Sequence, residues 1–237
     1  MMHLVYANKL PYLKSVLLAL SLSFFSSFSS ANTENALKGI EKTGNIQTAD
    51  GVVEIFKKLN IPSEKKAVRY FFSYTCPFSR KYDLLMAKWG ATLPKHFIYA
   101  RVPIVSDEGG YFAAISYYTV AIIAPDKLNN YQEEVYKQIQ DRRKSTVEFD
   151  TYAEAAYRVG IDVKKFADVV LTNRTHNLVA NGSMLAAKYQ VDLTPYIGVG
   201  GKYGFSSELI DPKNGNLTQL SNAMVSKFIS EFGISTR

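Results

Sequence analysis

The sequence predicts an α/β fold in which one cysteine sits where a buried strand turns into a helix. Val68 to Tyr74, VRYFFSY, is mostly aromatic or β-branched, with too little alternation for a half-exposed edge strand. It breaks at Thr75-Cys76-Pro77, and from there Tyr82, Leu85, Met86 and Trp89 recur at helical spacing. His96 to Val105 reads as a second strand, and a long run of helical patterns follows it. Strand, helix, strand and then a run of helices is the order of an α/β domain.

Residues 1–31 read as a secretory signal peptide. Lys9 and Lys14 precede an apolar core over 16–28, no acid occurs before Glu34, and Ser29-Ser30-Ala31 offers small residues for cleavage. The apolar run is short and serine-rich for a bilayer span, so the expectation is an exported chain with no stable membrane anchor after cleavage. No cysteine follows the core, which excludes a lipid-modified N-terminal cysteine. Loss of the two lysines lowers the net charge from +7 to about +5. Basic pairs such as Lys57-Lys58 and Lys164-Lys165 are scattered, and no nucleic-acid-binding motif is present.

In the N-terminal segment 32–66, Asp50 is expected to cap a short helix with Val52, Val53, Phe56 and Leu59 on one face, ended at Ile61-Pro62. Within the second strand, Pro103 should interrupt the ladder near its end. Residues 106–110 read as a loop. Tyr111 to Ala124 is almost wholly apolar and stops at Pro125, which predicts a buried helix. Asn130 to Arg143 is amphipathic. Thr151-x-x-Glu154 has the form of a capping box that starts a third helix. Asp162 caps a fourth, with Val163, Phe166, Val169 and Val170 inward, and Asn177 to Tyr189 forms the last of the series. Gly200-Gly201 reads as a hairpin turn, and Asn216 to Phe232 as a closing helix.

Cys76 is the only cysteine in the chain. Pro77 fits the first helical position, where an amide hydrogen has no partner to lose. A cysteine just before it lies at a helix N-terminus, where free amides and the helix dipole favour an anion and raise thiol reactivity. An exported chain with one cysteine cannot make an internal disulfide, so packing must hold it together. Its 47% of hydrophobic residues make that feasible. His3, His96 and His176 are isolated, which argues against a metal site. Gly198-Val199-Gly200-Gly201-Lys202 lacks the spacing and the Ser/Thr of a phosphate-binding loop.

The segment FFSYTCPFS resembles the active-site stretch of the DsbA family, periplasmic thiol–disulfide oxidoreductases of thioredoxin fold, whose usual pattern there is F-F-S/D-x-x-C-P-x-C. Val191 to Tyr203, VDLTPYIGVGGKY, is similar to the family's cis-proline loop, strand and hairpin. The resemblance covers roughly Ala67 to Arg237. It implies a DsbA-like thioredoxin fold interrupted by an inserted helical domain. The thioredoxin fold would begin over 67–110, break for the insertion over 111–176, and resume over 177–237 with the Thr194–Pro195 bond cis.

The resemblance also implies the site, and the departures from it are informative. Cys76 is the attacking cysteine, and Ser79 stands where the family has its resolving cysteine. A serine cannot supply half of a disulfide, so the expected chemistry is a mixed disulfide that an outside thiol must release. Ser79 is expected to offer its hydroxyl to the Cys76 sulfur, as is Thr194. Tyr70 replaces an acid that the family often carries in the strand before the two phenylalanines. Pro77, Phe78, Thr194, Pro195 and Tyr196 are the implied substrate-binding residues, and Tyr74, Phe78 and Tyr196 would line a groove for unfolded chains. No cofactor is implied, with glutathione as a co-substrate. The implied partners are exported protein clients and a second thiol protein or glutathione, in the periplasm. The alternative is a non-enzymatic periplasmic chaperone or assembly factor, for instance of a secretion or conjugation apparatus, that binds clients at the cis-proline groove.

Overall fold

A computed structural model of the chain describes residues 45–48, 51–54, 56–209 and 216–233. The expected signal peptide and the expected capping residue Asp50 lie outside the described residues. A short antiparallel ladder pairs β1 (Asn45–Thr48) with β2 (Gly51–Glu54). The main sheet has five strands in the order β3-β7-β6-β4-β5, formed by β3 (Lys57–Lys58), β4 (Ala67–Phe72), β5 (Ile98–Pro103), β6 (Tyr196–Val199) and β7 (Tyr203–Ser206). Strands β4 and β5 are parallel, and the other neighbours are antiparallel.

The aromatic stretch before the cysteine is an interior strand of this sheet, beside the edge strand β5. β4 pairs β5 on one side and β6 on the other, with Phe71 opposite both Val102 and Tyr196. Both of its faces are covered, so both phases of its alternation are apolar. Val68, Tyr70 and Phe72 point into the larger core, and Phe71 points to the opposite face among Ile61, Val102, Tyr189 and Tyr196. Arg69, on Phe71's side, is held by the Glu64 carboxylate at 2.6 Å. β5 is the sheet edge, which is why Pro103 is tolerated: it ends the strand opposite Phe72, and the next amide, of Ile104, still donates to the Phe72 carbonyl.

β4 leads into α1 (Pro77–Gly90), which buries Tyr82, Met86 and Trp89 but leaves Leu85 exposed. Between β5 and β6 lie α2 (Glu108–Ile123), α3 (Leu128–Tyr136) with a π-helical turn over Lys137–Asp141, α4 (Phe149–Arg158), α5 (Val163–Val170) and α6 (Asn173–Lys188). The closing helix is α7 (Leu217–Phe232), capped by the Asn216 side chain on the Thr218 amide. The β6–β7 hairpin turns at Gly200 and Gly201, both at positive φ, which a side chain disfavours. Asp162 caps α5 as expected, accepting from the Lys165 amide at 3.0 Å.

Four local expectations fail. The short helix around Val52 is instead strand: β2 pairs β1, and Lys57 and Lys58 pair β7. Phe56, between them, is buried edge-on against Tyr203 at 5.1 Å. The ladder partner there lies nearly 150 residues downstream, so local patterning misses it. The glycines at 109 and 110 mask a helix start, because Asp107 caps α2 by accepting from the Gly110 amide at 2.7 Å. The capping box does not form. Thr151 lies inside α4 and donates to the Ser145 carbonyl, while Glu154 pairs with Lys144 and Arg158. Finally, the amphipathic helix over 130–143 widens to a π turn before its end.

Candidate functional site: a monothiol at a strand-to-helix turn

Ser73, Tyr74 and Thr75 carry the chain from β4 to α1. Tyr74 turns inward, its ring packing on Phe72 at 5.2 Å and Tyr136 at 4.9 Å. Cys76 is the N-cap of α1, with an extended backbone, and is half-buried. Its sulfur meets two backbone groups. The thiol donates to the Thr194 carbonyl at 3.0 Å, and the Ser79 amide donates to the sulfur at 3.4 Å. The first contact suits the thiol and the second suits the thiolate. The Thr194–Pro195 bond is cis, and this loop lies across the sheet end from β4, because β6 pairs directly with it.

Ser79 is fully buried. Its Oγ accepts from the Ser73 amide at 3.2 Å, and its carbonyl accepts from the Tyr70 hydroxyl at 3.1 Å. The expected contact from the Ser79 hydroxyl to sulfur is therefore replaced by one from its backbone amide. Thr194 likewise meets the sulfur through its carbonyl rather than its hydroxyl. Tyr70, standing where an acid was expected from the family pattern, braces the first turn of α1, and burial holds its hydroxyl well above the usual tyrosine range.

The aromatic groove needs correction. Tyr196 is 1% exposed, its hydroxyl donating to the Tyr189 carbonyl at 3.0 Å, and Tyr74 is equally interior. Neither ring can line a groove. Phe78 does, at 53% exposure. It forms, with Tyr82, Leu193, Thr194, Ser207 and Glu208, the wall of a mainly apolar depression of about 240 Å³ beside the cysteine. Pro77 is exposed at the mouth of the turn.

Three polar features were missed in the sequence. Asp83, on the buried face of α1, pairs with Arg101 of β5 at 3.2 Å, and Arg101 also donates to Asn129 at 2.7 Å. Burial pushes the Asp83 carboxyl up to about 6, against the pull of the guanidinium. An acid on an apolar helix face and an arginine in an apolar strand were the available signal. Arg80 turns away from the cysteine to a fork on Asp141 at 2.7 and 3.0 Å, with Glu133 at 3.2 Å. Gln140 donates to the carbonyls of Tyr74 at 2.8 Å and Cys76 at 3.2 Å. Nothing in the sequence marks Gln140. Among the described residues, no three His, Cys, Asp or Glu side chains cluster as metal ligands, and no helix is long and apolar enough to cross a membrane.

No family model matches the chain. It is 31% identical over 139 residues to the thiol:disulfide interchange protein DsbA of Bordetella pertussis, and equally to that of Bordetella parapertussis. The match takes in 59% of this chain and 65% of each relative, so the chain spans a little under two thirds of their length. Among solved structures, Pseudomonas aeruginosa DsbA superposes with a TM-score of 0.65 at 20% identity, covering 76% of this chain and 94% of that one. The oxidoreductase NmDsbA1 of Neisseria meningitidis superposes at 0.64 and 17% identity, covering 79% and 99%. The two structural likenesses show the thioredoxin fold with inserted helices that the DsbA structures share.

Proposed function

We propose that this chain is an exported thiol–disulfide exchange protein that works through Cys76 alone, forming mixed disulfides with exported proteins in the periplasm. The observation that carries the reading is the sulfur's setting. It is half-buried at a helix N-terminus, between the Ser79 amide and the Thr194 carbonyl, and Thr194 and the nearby Phe78 line an apolar depression. The names of the Bordetella relatives, thiol:disulfide interchange proteins, support the reaction class.

In the proposed step the Cys76 thiolate attacks one sulfur of a client disulfide. A bond forms from Cys76 to that sulfur, the client's other sulfur leaves as a thiolate, and the thiol proton has gone to solvent. Release needs a second thiolate, from glutathione, another thiol protein or the client itself, which displaces Cys76. No electrons are gained or lost overall, so the chemistry is interchange and not net oxidation. Phe78 and the backbone around Thr194 and Pro195 would hold the client, with Pro77 beside the sulfur. The Ser79 amide would hold the thiolate as it forms and leaves.

The test is refolding of a client with scrambled disulfides, with and without glutathione. Wild type with Cys76 reduced should speed the reshuffling, and more so when glutathione is supplied, and Cys76→Ser should abolish the effect. Equal assistance by Cys76→Ser would favour the alternative, a binding-only chaperone or assembly factor that uses the same depression.

A further inference from the structure

The π turn at the end of α3 holds the strand-to-helix turn by two adjacent residues. Gln140 donates one amide nitrogen to the carbonyls of both Tyr74 and Cys76. Those two carbonyls bracket the turn that carries the sulfur. Next in the chain, Asp141 takes the guanidinium of Arg80 in a two-bond fork, and Arg80 lies in the first turn of α1. An ordinary α-helical continuation is what the amphipathic pattern over 130–143 predicts. The wider turn over Lys137–Asp141 displaces these side chains from that path, and such turns recur at functional sites.

The geometry points to Gln140 as a positioning residue for the cysteine, an assignment that rests on Cys76 being the nucleophile. The sulfur has its contacts from two separate elements, the Ser79 amide of α1 and the Thr194 carbonyl of the proline loop. It reaches both only while the Cys76 backbone keeps one orientation. The Cys76 carbonyl is bound within α1 only by the Arg80 amide, at a long 3.3 Å. Gln140 fixes the direction of that carbonyl and of the Tyr74 carbonyl at once, so it sets the peptide planes on both sides of the turn. Its contacts to the turn are to the two carbonyls and not to the sulfur, so it acts through the backbone. Misplacing a nucleophile by a fraction of an ångström lowers its rate without unfolding the protein.

The probe is oxidised glutathione. The Cys76 thiolate displaces one glutathione thiolate, so one S–S bond breaks and one forms. The measurements are the second-order rate at fixed pH and amide hydrogen exchange at Ser79, in wild type, Gln140→Met and Gln140→Ala. Methionine keeps the side chain's length and loses the donor. Both variants should react about tenfold more slowly, the loss expected for a net hydrogen-bond contribution near this size. Ser79 exchange should quicken in both, while the thermal midpoint of Gln140→Met stays near wild type. A wild-type rate in Gln140→Met, with only Gln140→Ala slow, would reduce Gln140 to packing and overturn the assignment. If wild type itself fails to react, the reading of Cys76 as nucleophile fails and this assignment with it.

Discussion

Replacing Asp83 by asparagine should make the protein more stable at neutral pH, although it breaks a buried ion pair. Two effects compete at this position. Arg101 lies 3.2 Å from the carboxylate and favours its ionised form. Burial disfavours that form, and it wins: the carboxyl is pushed from 3.8 up to about 6. A group whose folded pKa is raised binds more protons in the native state than in the unfolded state between those two values. Stability is therefore fully present below about pH 4 and is lost as pH rises through about 6. That rise corresponds to about 3 kcal/mol at neutral pH, at roughly 1.36 kcal/mol for each pH unit. Asp83→Asn keeps an oxygen that can accept from Arg101, carries no charge, and should lack this dependence. The two proteins should have similar stability near pH 4. At pH 7 the variant should be ahead by up to about 3 kcal/mol on the linkage alone, against the cost of leaving the buried Arg101 charge without its partner. The assay is urea unfolding at a series of pH values, comparing midpoints at constant slope. Other carboxylates, such as Glu154, titrate in both proteins and cancel in the difference. A variant that is less stable than wild type at pH 7 would show that the Arg101 attraction outweighs burial, and the reasoning would be wrong.

Two further substitutions test the site and the core. Ser79→Cys puts a second thiol one helical turn from Cys76, where the Ser79 amide is already 3.4 Å from the sulfur. Mild oxidant should protect both thiols from alkylation, and a folded variant in which both stay reactive would contradict the geometry of the turn. Phe72→Ala empties a fully buried site between Tyr74 and Tyr117 directly upstream of the cysteine. It should cost about 3–5 kcal/mol in denaturant unfolding, and a loss below about 1 kcal/mol would mean that β4 is not a buried interior strand.

The features that were legible in the sequence are those whose causes are local. The apolar run into Thr75-Cys76-Pro77, the Asp162 cap and the Gly200-Gly201 turn each need only a few neighbouring residues. What escaped depends on partners outside the local pattern that was read. Lys58 becomes strand because Tyr203 is there to pair with it. Thr151 and Glu154 abandon their capping box because Ser145, Lys144 and Arg158 offer better partners. Tyr74 and Tyr196 looked suited to a groove, but composition does not say which face of a strand or turn an aromatic takes, and both turned to the core. Ser79 was singled out for its hydroxyl, yet that hydroxyl serves the Ser73 amide and its backbone amide serves the sulfur. Gln140 could not have been found, because its reach to the turn depends on a break in helical period that the amphipathic pattern does not encode.

If Cys76 works through mixed disulfides, the state of its sulfur in the producing cell must record them. Cells are quenched in acid, which stops exchange, and free thiols are alkylated before the protein is purified and its mass measured under non-reducing conditions. A fraction of molecules should carry glutathione or a client protein on Cys76, released by reductant and absent in Cys76→Ser. A Cys76 found wholly as the alkylated free thiol, in cells that are forming disulfides in exported proteins, would rule out exchange through this sulfur.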